Sequence, residues 1–200
     1  MDADIVLPKN NEAEFIEIAE KIGINKLYFL YDFDYYDEEK TAKKLEFIKE
    51  RRNVSVEIGF LADQRNFSRA AKQSKIIVAK SSDKDRFFIE SGKIKIIYGF
   101  EEIHKRDHLH QRASGLNHIL CELASKNNVA VGFCYSVLLS KNHALASILM
   151  GRMMQNISLC QKFKVKMVMG SFSEKPFDMR QHHDIISLFS IFGINKIKRY

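Results

Sequence analysis

The sequence lacks long apolar runs and paired cysteines. No run approaches the roughly 18 apolar residues of a membrane-spanning helix, so we expect no membrane partner. The N-terminus carries neither a basic segment nor a small-residue cleavage site, so no signal peptide is expected. The three cysteines, Cys121, Cys134 and Cys160, stand far apart without a CxxC motif. This spacing favours reduced, structural thiols and a cytoplasmic location.

Linkers, repeats and several common catalytic motifs are also absent. Because no Pro-, Gly- or Ser-rich linker and no low-complexity tract interrupts the chain, residues 1–200 are predicted to form one domain. No GxGxxG motif or P-loop follows the first predicted strand, which disfavours a nucleotide-binding fold. No GxSxG elbow is present, so we do not expect a nucleophilic triad.

Basic residues exceed acidic ones. The 32 Lys and Arg against 25 Asp and Glu give a formal net charge of +7, and the sequence pI is near 9.2. This balance favours a polyanionic partner such as RNA or DNA. Lys-rich proteomes also produce basic proteins that bind no nucleic acid, so charge alone leaves both explanations open.

Short strands alternate with helices along the chain. Strands are predicted at residues 4–7, 26–31, 54–61, 75–79, 93–98, 129–133 and 165–170. The longest helix is predicted at residues 142–163 and the last at 178–192. Repeated βα units favour parallel strands in a sheet that is buried on both faces. The sheet could be open and doubly wound or closed, and we favour a distorted, TIM-like α/β barrel of seven units.

The segment 106–140 combines a charged loop, an amphipathic helix and a buried strand. Ser114 is a plausible N-cap of the helix. The apolar residues Leu116, Ile119, Leu120 and Leu123 have the spacing of a buried helix face. Two arginines and two histidines precede the helix at residues 106–112, a position suited to anions.

Two other charged segments stand out. The acidic, tyrosine-rich residues 32–39 are predicted to open a helix whose buried side includes Leu45 and Ile48. The C-terminal residues 196–200 form a small basic tail.

In a barrel, the loops that follow the strands lie at one end, and Lys or Arg recurs in most of them. We therefore expect a ring of cations at the barrel mouth that favours phosphate binding.

A metal-dependent hydrolase would need His and carboxylate side chains that converge from several strand ends. The HxH pair His108 and His110 is a weak signal, and the first strand, ADIVLP, contains no histidine. Adjacent His182 and His183 point in different directions on a helix. We therefore predict no metal site among the candidates His104, His108, His110, His118, His143, His182, His183, Asp107, Asp32 and Asp34.

Nucleic-acid binding has better support, because an arginine side chain can donate two hydrogen bonds to one phosphate and can stack on bases. The simpler explanation for each such residue is a solvated surface charge or a local ion pair. The candidate cations lie in loops or adjacent helices: Arg106, Arg112, Arg152, Lys175 and Arg180.

Four blocks of the sequence, in order, resemble the ribonuclease P protein component 3 family of archaea and eukaryotes. The most distinctive is RDHLHQRASGLNH, which leads into ILCELA and VAVGF. The blocks are residues 86–91, residues 106–118, residues 152–156 with Cys160 and 164–168, and residues 169–180 with Asp184 and Leu188.

The resemblance implies a fold, a function and a set of partners. The expected fold is a distorted barrel akin to the polymerase-and-histidinol-phosphatase type, which here would have lost its metals. The expected function is that of a protein subunit of ribonuclease P, which removes 5′ leaders from precursor tRNA. The expected partners are the catalytic RNA, precursor tRNA, component 2 and the other protein components. The RNA subunit, with Mg²⁺, is expected to carry the chemistry. The isolated chain is expected to be inactive and to bind no cofactor of its own.

The resemblance also assigns roles to residues. Arg86, Arg106, Arg112, Arg152, Lys175 and Arg180 are expected to bind RNA, whereas Asp107 and His118 are expected to brace the loop that carries some of them. The alternative function is a free-standing metal-dependent phosphoesterase of the same barrel type. A structural protein-binding module is a third interpretation.

Overall fold

The strands and helices alternate as the sequence predicts. The computed structural model describes residues 3–39, 41–42, 53–139 and 142–194. Its strands are β1 (Ala3–Val6), β2 (Lys26–Asp32), β3 (Ser55–Leu61), β4 (Ile77–Lys80), β5 (Ile96–Tyr98), β6 (Ala130–Cys134) and β7 (Met167–Gly170). The helices with full bounds are α1 (Glu12–Lys21), α2 (Phe67–Gln73), α3 (Asp85–Ser91), α4 (His118–Asn127), α5 (Ser136–Leu139), α6 (His143–Lys162) and α7 (His182–Ile191).

The seven strands form one parallel sheet in chain order, from β1 to β7. Every residue of β6 is buried, as expected for a strand that is covered on both faces. Apolar side chains from all seven strands and the surrounding helices form the larger core. A second cluster joins β1 and β2 to α1 through Phe15, Leu27 and Phe29.

The first and last strands close the sheet into a barrel. Phe172 N donates to Ile5 O over 2.7 Å, and Leu7 N donates to Ser173 O over 2.8 Å. The buried carboxylate of Asp4 also accepts from Ser171 N at 2.7 Å. Burial raises the pKa of Asp4 to about 6, although the hydrogen bonds from Ser171 and Ile5 oppose the rise. These contacts confirm the TIM-like barrel over the open sheet, while the polymerase-and-histidinol-phosphatase subtype stays a prediction.

Two aromatic rings fill space at the C-terminal ends of β5 to β7. The rings of Tyr98 and Phe172 stack 4.7 Å apart at an interplanar angle of 18°. Gly132 permits this packing, because a Cβ there would lie 3.1 Å from Phe172 Cζ. Phe172 has a φ of 46°, an unfavourable backbone conformation for a large side chain. The ring packing and the closing hydrogen bond of Phe172 offset that cost.

Several helix boundaries differ from the sequence prediction. Helix α6 begins close to the predicted position: its N-cap is Asn142, whose side chain accepts from Leu145 N. Helix α4 begins later than predicted, since its N-cap is Asn117 and not Ser114. Ile119, predicted to lie on the buried face, is on the outer side of the helix and is 48% exposed. The last helix begins at residue 182, after a separate 3₁₀ turn at Pro176–Asp178.

The acidic segment does not begin directly with an α-helix. Asp32 instead caps a 3₁₀ turn at Phe33–Tyr35, where its side chain accepts from Asp34 N. Leu45, Ile48 and the basic residues 196–200 lie outside the described residues. The three cysteines are buried and form no disulfide, as predicted. None of the helices in the described ranges is long and apolar enough to span a bilayer.

Candidate nucleic-acid interface

The connection from β5 to α4 carries most of the distinctive charged sequence. A 3₁₀ turn at Phe100–Glu102 follows β5, and residues 104–112, HKRDHLHQR, come next. We call residues 104–112 the basic loop. Every one of them is exposed. The loop holds Lys105, Arg106 and Arg112 in solvent, where they are accessible to a polyanion.

A buried arginine attaches the basic loop to the barrel. Arg152, in the middle of α6, is 1% exposed. Its Nε donates to Asp107 Oδ1 over 2.8 Å, and its Nη1 donates to the backbone oxygens of Glu101 and His104 over 2.8 and 2.7 Å. The planar guanidinium therefore fixes three points of the connection at once. The prediction that Arg152 binds RNA directly does not fit this burial, because its charge faces protein acceptors.

Asp107, one of the two predicted bracing residues, accepts hydrogen bonds from two other parts of the chain. Its Oδ1 accepts from Ala113 N at 2.8 Å as well as from Arg152. Burial alone raises the pKa of Asp107, but these hydrogen bonds and the charges of Arg152 and Arg112 lower it below its ordinary value overall. The ionised carboxylate thus joins the middle of the basic loop to Ala113, just after the loop, and to Arg152 on α6. His118, the other predicted bracing residue, is exposed at the start of α4.

A second buried polar pair continues the network. Asn156 Nδ2 donates to Glu101 Oε1 over 3.0 Å and to Ser114 O over 2.9 Å. Burial raises the pKa of Glu101 to about 7, opposed by the hydrogen bond from Asn156 and the charge of Arg152. The network therefore anchors the chain both before and after the basic loop.

The spacing of two polar residues along α6 could have predicted this network from the sequence. Arg152 and Asn156 have the same spacing as the buried residues Leu149, Met153 and Ile157, so they lie on one face of α6. Charged or amide side chains on such a face need partners from elsewhere in the fold. Ile148, which lies next to Leu149 in the sequence, is exposed and does not belong to that face.

Arg112 packs against a glycine of α6. A Cβ at Gly151 would lie 3.0 Å from Arg112 Nε and 3.3 Å from its Cζ. The missing side chain thus provides room for the guanidinium to lie on the helix, while Arg112 as a whole remains exposed. Arg112 is therefore held at the surface by its contact with α6.

The remaining predicted RNA-binding residues lie on two other elements. Arg86 is exposed on α3, where its Nε donates to Glu90 Oε1 over 2.8 Å. Lys175 is exposed in the connection that follows β7. Arg180, in the same connection, is half-buried; its Nη1 donates to the backbone oxygens of Phe177 and Met179. The structure thus places Arg106 and Arg112 in one exposed loop, and Lys175 and Arg180 in a different connection.

Carboxylates pair with many of the cations at the barrel mouth, so negative charges interrupt the predicted ring of cations, and phosphate binding by that ring stays a prediction. Lys9 lies 2.6 Å from Glu174, and Lys80 lies 3.6 Å from Glu102. Arg69 and Arg65 likewise contact Asp34 and Asp63. An open cleft of about 530 Å³ at this end is lined by several acidic groups and tyrosines, among them Glu12, Asp32, Tyr35 and Asp37. This mixed surface suits phosphates less well than the basic loop does.

The candidate metal ligands do not converge on one site in the described ranges. His104, His108 and His110 lie in the exposed basic loop, whereas His182 and His183 begin α7. Within the described ranges, no three His, Cys, Asp or Glu side chains form a group that could hold a metal ion. The structure therefore gives no support to a phosphoesterase centre in this part of the chain.

Comparisons with known proteins give one consistent result. The model of the family described as RNase P subunit p30 matches residues 10–198. Ribonuclease P protein component 3 of Methanococcoides burtonii is 32% identical over 85 residues, which cover 42% of this chain and 35% of that protein. The Methanocaldococcus jannaschii protein of the same name is 26% identical over 159 residues, or 76% of this chain and 68% of that protein.

A solved structure shares the fold. The similar chain comes from a cryo-EM structure of archaeal ribonuclease P with mature tRNA, and it has 19% sequence identity and a TM-score of 0.77. The match covers 94% of this chain and 82% of that chain. The barrel and its connections therefore have a counterpart in a known structure.

Proposed function

We propose that this chain, which belongs to the RNase P subunit p30 family, is a protein subunit of ribonuclease P, the ribonucleoprotein that removes 5′ leaders from precursor tRNA. Its role in the assembly is to bind and support the catalytic RNA. Component 2 and the other protein components are its proposed protein partners. The RNA subunit, with Mg²⁺, performs the cleavage, and the protein contributes no cofactor.

The observation that best supports RNA binding is the anchored basic loop. Arg106 and Arg112 are exposed, while the carboxylate between them, Asp107, is engaged by Arg152. The loop therefore presents cations to solvent with little local neutralisation. Because a fixed guanidinium loses less freedom on binding than a mobile one, the anchor favours phosphate recognition.

The other predicted RNA-binding residues have different places in this proposal. Arg86 on α3 belongs to it, because α3 packs against α4, the helix that follows the basic loop. Lys175 and Arg180 are a second proposed contact region, in the connection after β7. Arg152 acts in this proposal as a positioning residue, with no phosphate contact of its own.

Recovery of the assembly from cells tests this function. The tagged chain, expressed in its own organism, is purified from native lysate, and the bound RNA and proteins are identified. We expect one structured RNA, ribonuclease P RNA, together with component 2. A variant with Arg106→Glu and Arg112→Glu is expected to lose most of that RNA, whereas Arg65→Glu, in a different loop, is expected to retain it. Recovery of no ribonuclease P RNA with the wild-type chain would contradict the proposal.

A further inference from the structure

The tip of the basic loop exposes an apolar side chain. Leu109 is 92% exposed, and the histidines on either side of it, His108 and His110, are exposed as well. Exposed leucines are common on protein surfaces, but this one lies at the apex of a cationic loop. Its position favours an apolar contact with the same partner that the cations of the loop bind.

The tip is held by hydrogen bonds. His108 N donates to Gln111 O over 2.9 Å, which closes the chain around Leu109 and His110. Immediately before this closure, Asp107 accepts from Ala113 N and from Arg152. Leu109 is therefore exposed on a supported turn, and little conformational entropy is lost when it makes a contact.

The charge around the tip selects the kind of partner. Lys105, Arg106 and Arg112 precede and follow it in the same exposed loop, and the acidic residue of the loop, Asp107, is paired with Arg152. A polyanion fits this charge. A leucine gains nothing from a phosphate, however, so its partner on the polyanion must be an apolar surface. In RNA, that surface is the face of a nucleobase.

We propose that Leu109 packs against an unpaired nucleobase of the RNA that the basic loop binds, with His108 and His110 beside it. This inference rests on the proposed function. The base must be unpaired, because bases in an A-form helix are stacked and the deep major groove is too narrow for side chains. The loop thus recognises a single-stranded or bulged site through its tip and the adjoining phosphates through its arginines.

A single tryptophan at the tip gives a direct test. The chain contains no tryptophan, so Leu109→Trp introduces the sole indole emitter. Addition of ribonuclease P RNA from the same organism is expected to quench that emission and to protect the indole from acrylamide. The matched control is Ile191→Trp at the end of α7, where the native residue is 75% exposed. Its emission and its acrylamide quenching are expected to remain unchanged.

Binding measurements separate the tip contact from charge. Leu109→Ala is expected to weaken RNA binding about fivefold, since part of a leucine's apolar surface is no longer buried. The salt dependence of binding should stay the same, because no charge has been removed. Unchanged affinity in Leu109→Ala would overturn the inference, as would an indole at residue 109 that remains accessible while RNA is bound.

Two further outcomes assign a failure to its cause. If the indole is protected by component 2 and not by RNA, the tip is a protein-docking site and the nucleobase contact is wrong. If the wild-type chain binds no ribonuclease P RNA at all, the proposed function fails. If RNA binds but neither the affinity of Leu109→Ala nor the accessibility of the indole at residue 109 changes, the proposed function stands and the inference alone fails.

Discussion

Arg152 Nε lies 2.8 Å from Asp107 Oδ1, joining residues that are 45 positions apart in the sequence. The pair connects the buried face of α6 to the exposed basic loop. Because the same guanidinium also binds the backbone of Glu101 and His104, one side chain inside the protein determines where the loop's cations stand. The buried guanidinium of Arg152 thus positions the exposed cations of the basic loop.

Arg152→Lys is expected to loosen the basic loop. A single ammonium cannot reproduce the fork that reaches three acceptors, so we expect a loss of about 3 kcal/mol in the free energy of unfolding. Amide hydrogen exchange at residues 104–112 should accelerate, and RNA affinity should fall. The control is Arg86→Lys, an exposed pair with Glu90, where the expected loss is below about 0.5 kcal/mol.

The salt dependence of binding distinguishes positioning from contact. For Arg152→Ala, which removes the charge, the slope of log affinity against log salt is expected to match that of the wild-type protein. A slope reduced by about one unit in Arg152→Ala, with an unaltered loop, would indicate a direct phosphate contact and contradict the positioning role.

Arg106→Ala and Arg112→Ala are expected to act through charge. Each should weaken binding to ribonuclease P RNA and reduce the log–log salt slope by about one unit per lost phosphate contact. Fluorescence titration over a range of KCl concentrations measures both quantities. The control is Arg65→Ala, which removes an exposed cation from a loop at the barrel mouth. Equal slopes for all four proteins would show that the basic loop makes no phosphate contact.

Gly151→Ala is expected to change stability and binding in opposite directions. Alanine stabilises a helix interior by about 1 kcal/mol relative to glycine, so the free energy of unfolding should rise or hold steady. The added Cβ would meet Arg112 Nε at 3.0 Å, so the guanidinium must shift. RNA affinity should therefore fall, and Gly151→Ala combined with Arg112→Ala should show no additional loss. An additive loss in the double variant would show that Gly151 does not act through Arg112.

Glu101 should make stability depend on pH. Burial raises its pKa from 4.5 to about 7 in the folded chain, so the folded state holds a proton that the unfolded state releases. Its contribution is complete below about pH 4.5 and is lost as the pH rises through about 7, a change of about 3 kcal/mol. Denaturant unfolding of Glu101→Gln should lack this loss, whereas Glu90→Gln, an exposed control, should retain it. Parallel pH profiles for Glu101→Gln and the wild-type protein would contradict a buried, protonated Glu101.

The strands were predictable from the sequence because each is a short apolar run between helical patterns. The register of α4 was not predictable in the same way, since Ser114 and Asn117 are both good caps. The structure gives the cap to Asn117 and uses the carbonyl of Ser114 as an acceptor for Asn156. Local sequence alone could not rank these two residues, because the deciding contact comes from α6.

The site was predicted in part. Arg106 and Arg112 were identified correctly as neighbours in one loop, because they are close in sequence. The sequence predicts an RNA contact for Arg152 because an arginine is usually a surface charge, and its partner Asp107 comes from a distant segment. The same limit applies to the barrel mouth, where Lys9 pairs with Glu174 across the closed barrel. Such pairings depend on the closure of the sheet, which no local pattern shows.

The most direct test of the account is 5′-leader cleavage of precursor tRNA at limiting Mg²⁺. Three samples are compared: the purified chain alone, ribonuclease P RNA alone, and the RNA with the chain and component 2. We expect no cleavage by the chain, slow cleavage by the RNA, and faster cleavage by the assembly, with the gain reduced by Arg106→Ala. Cleavage by the purified chain alone, or an assembly no faster than the RNA, would contradict the proposed role of the protein as a support for a catalytic RNA.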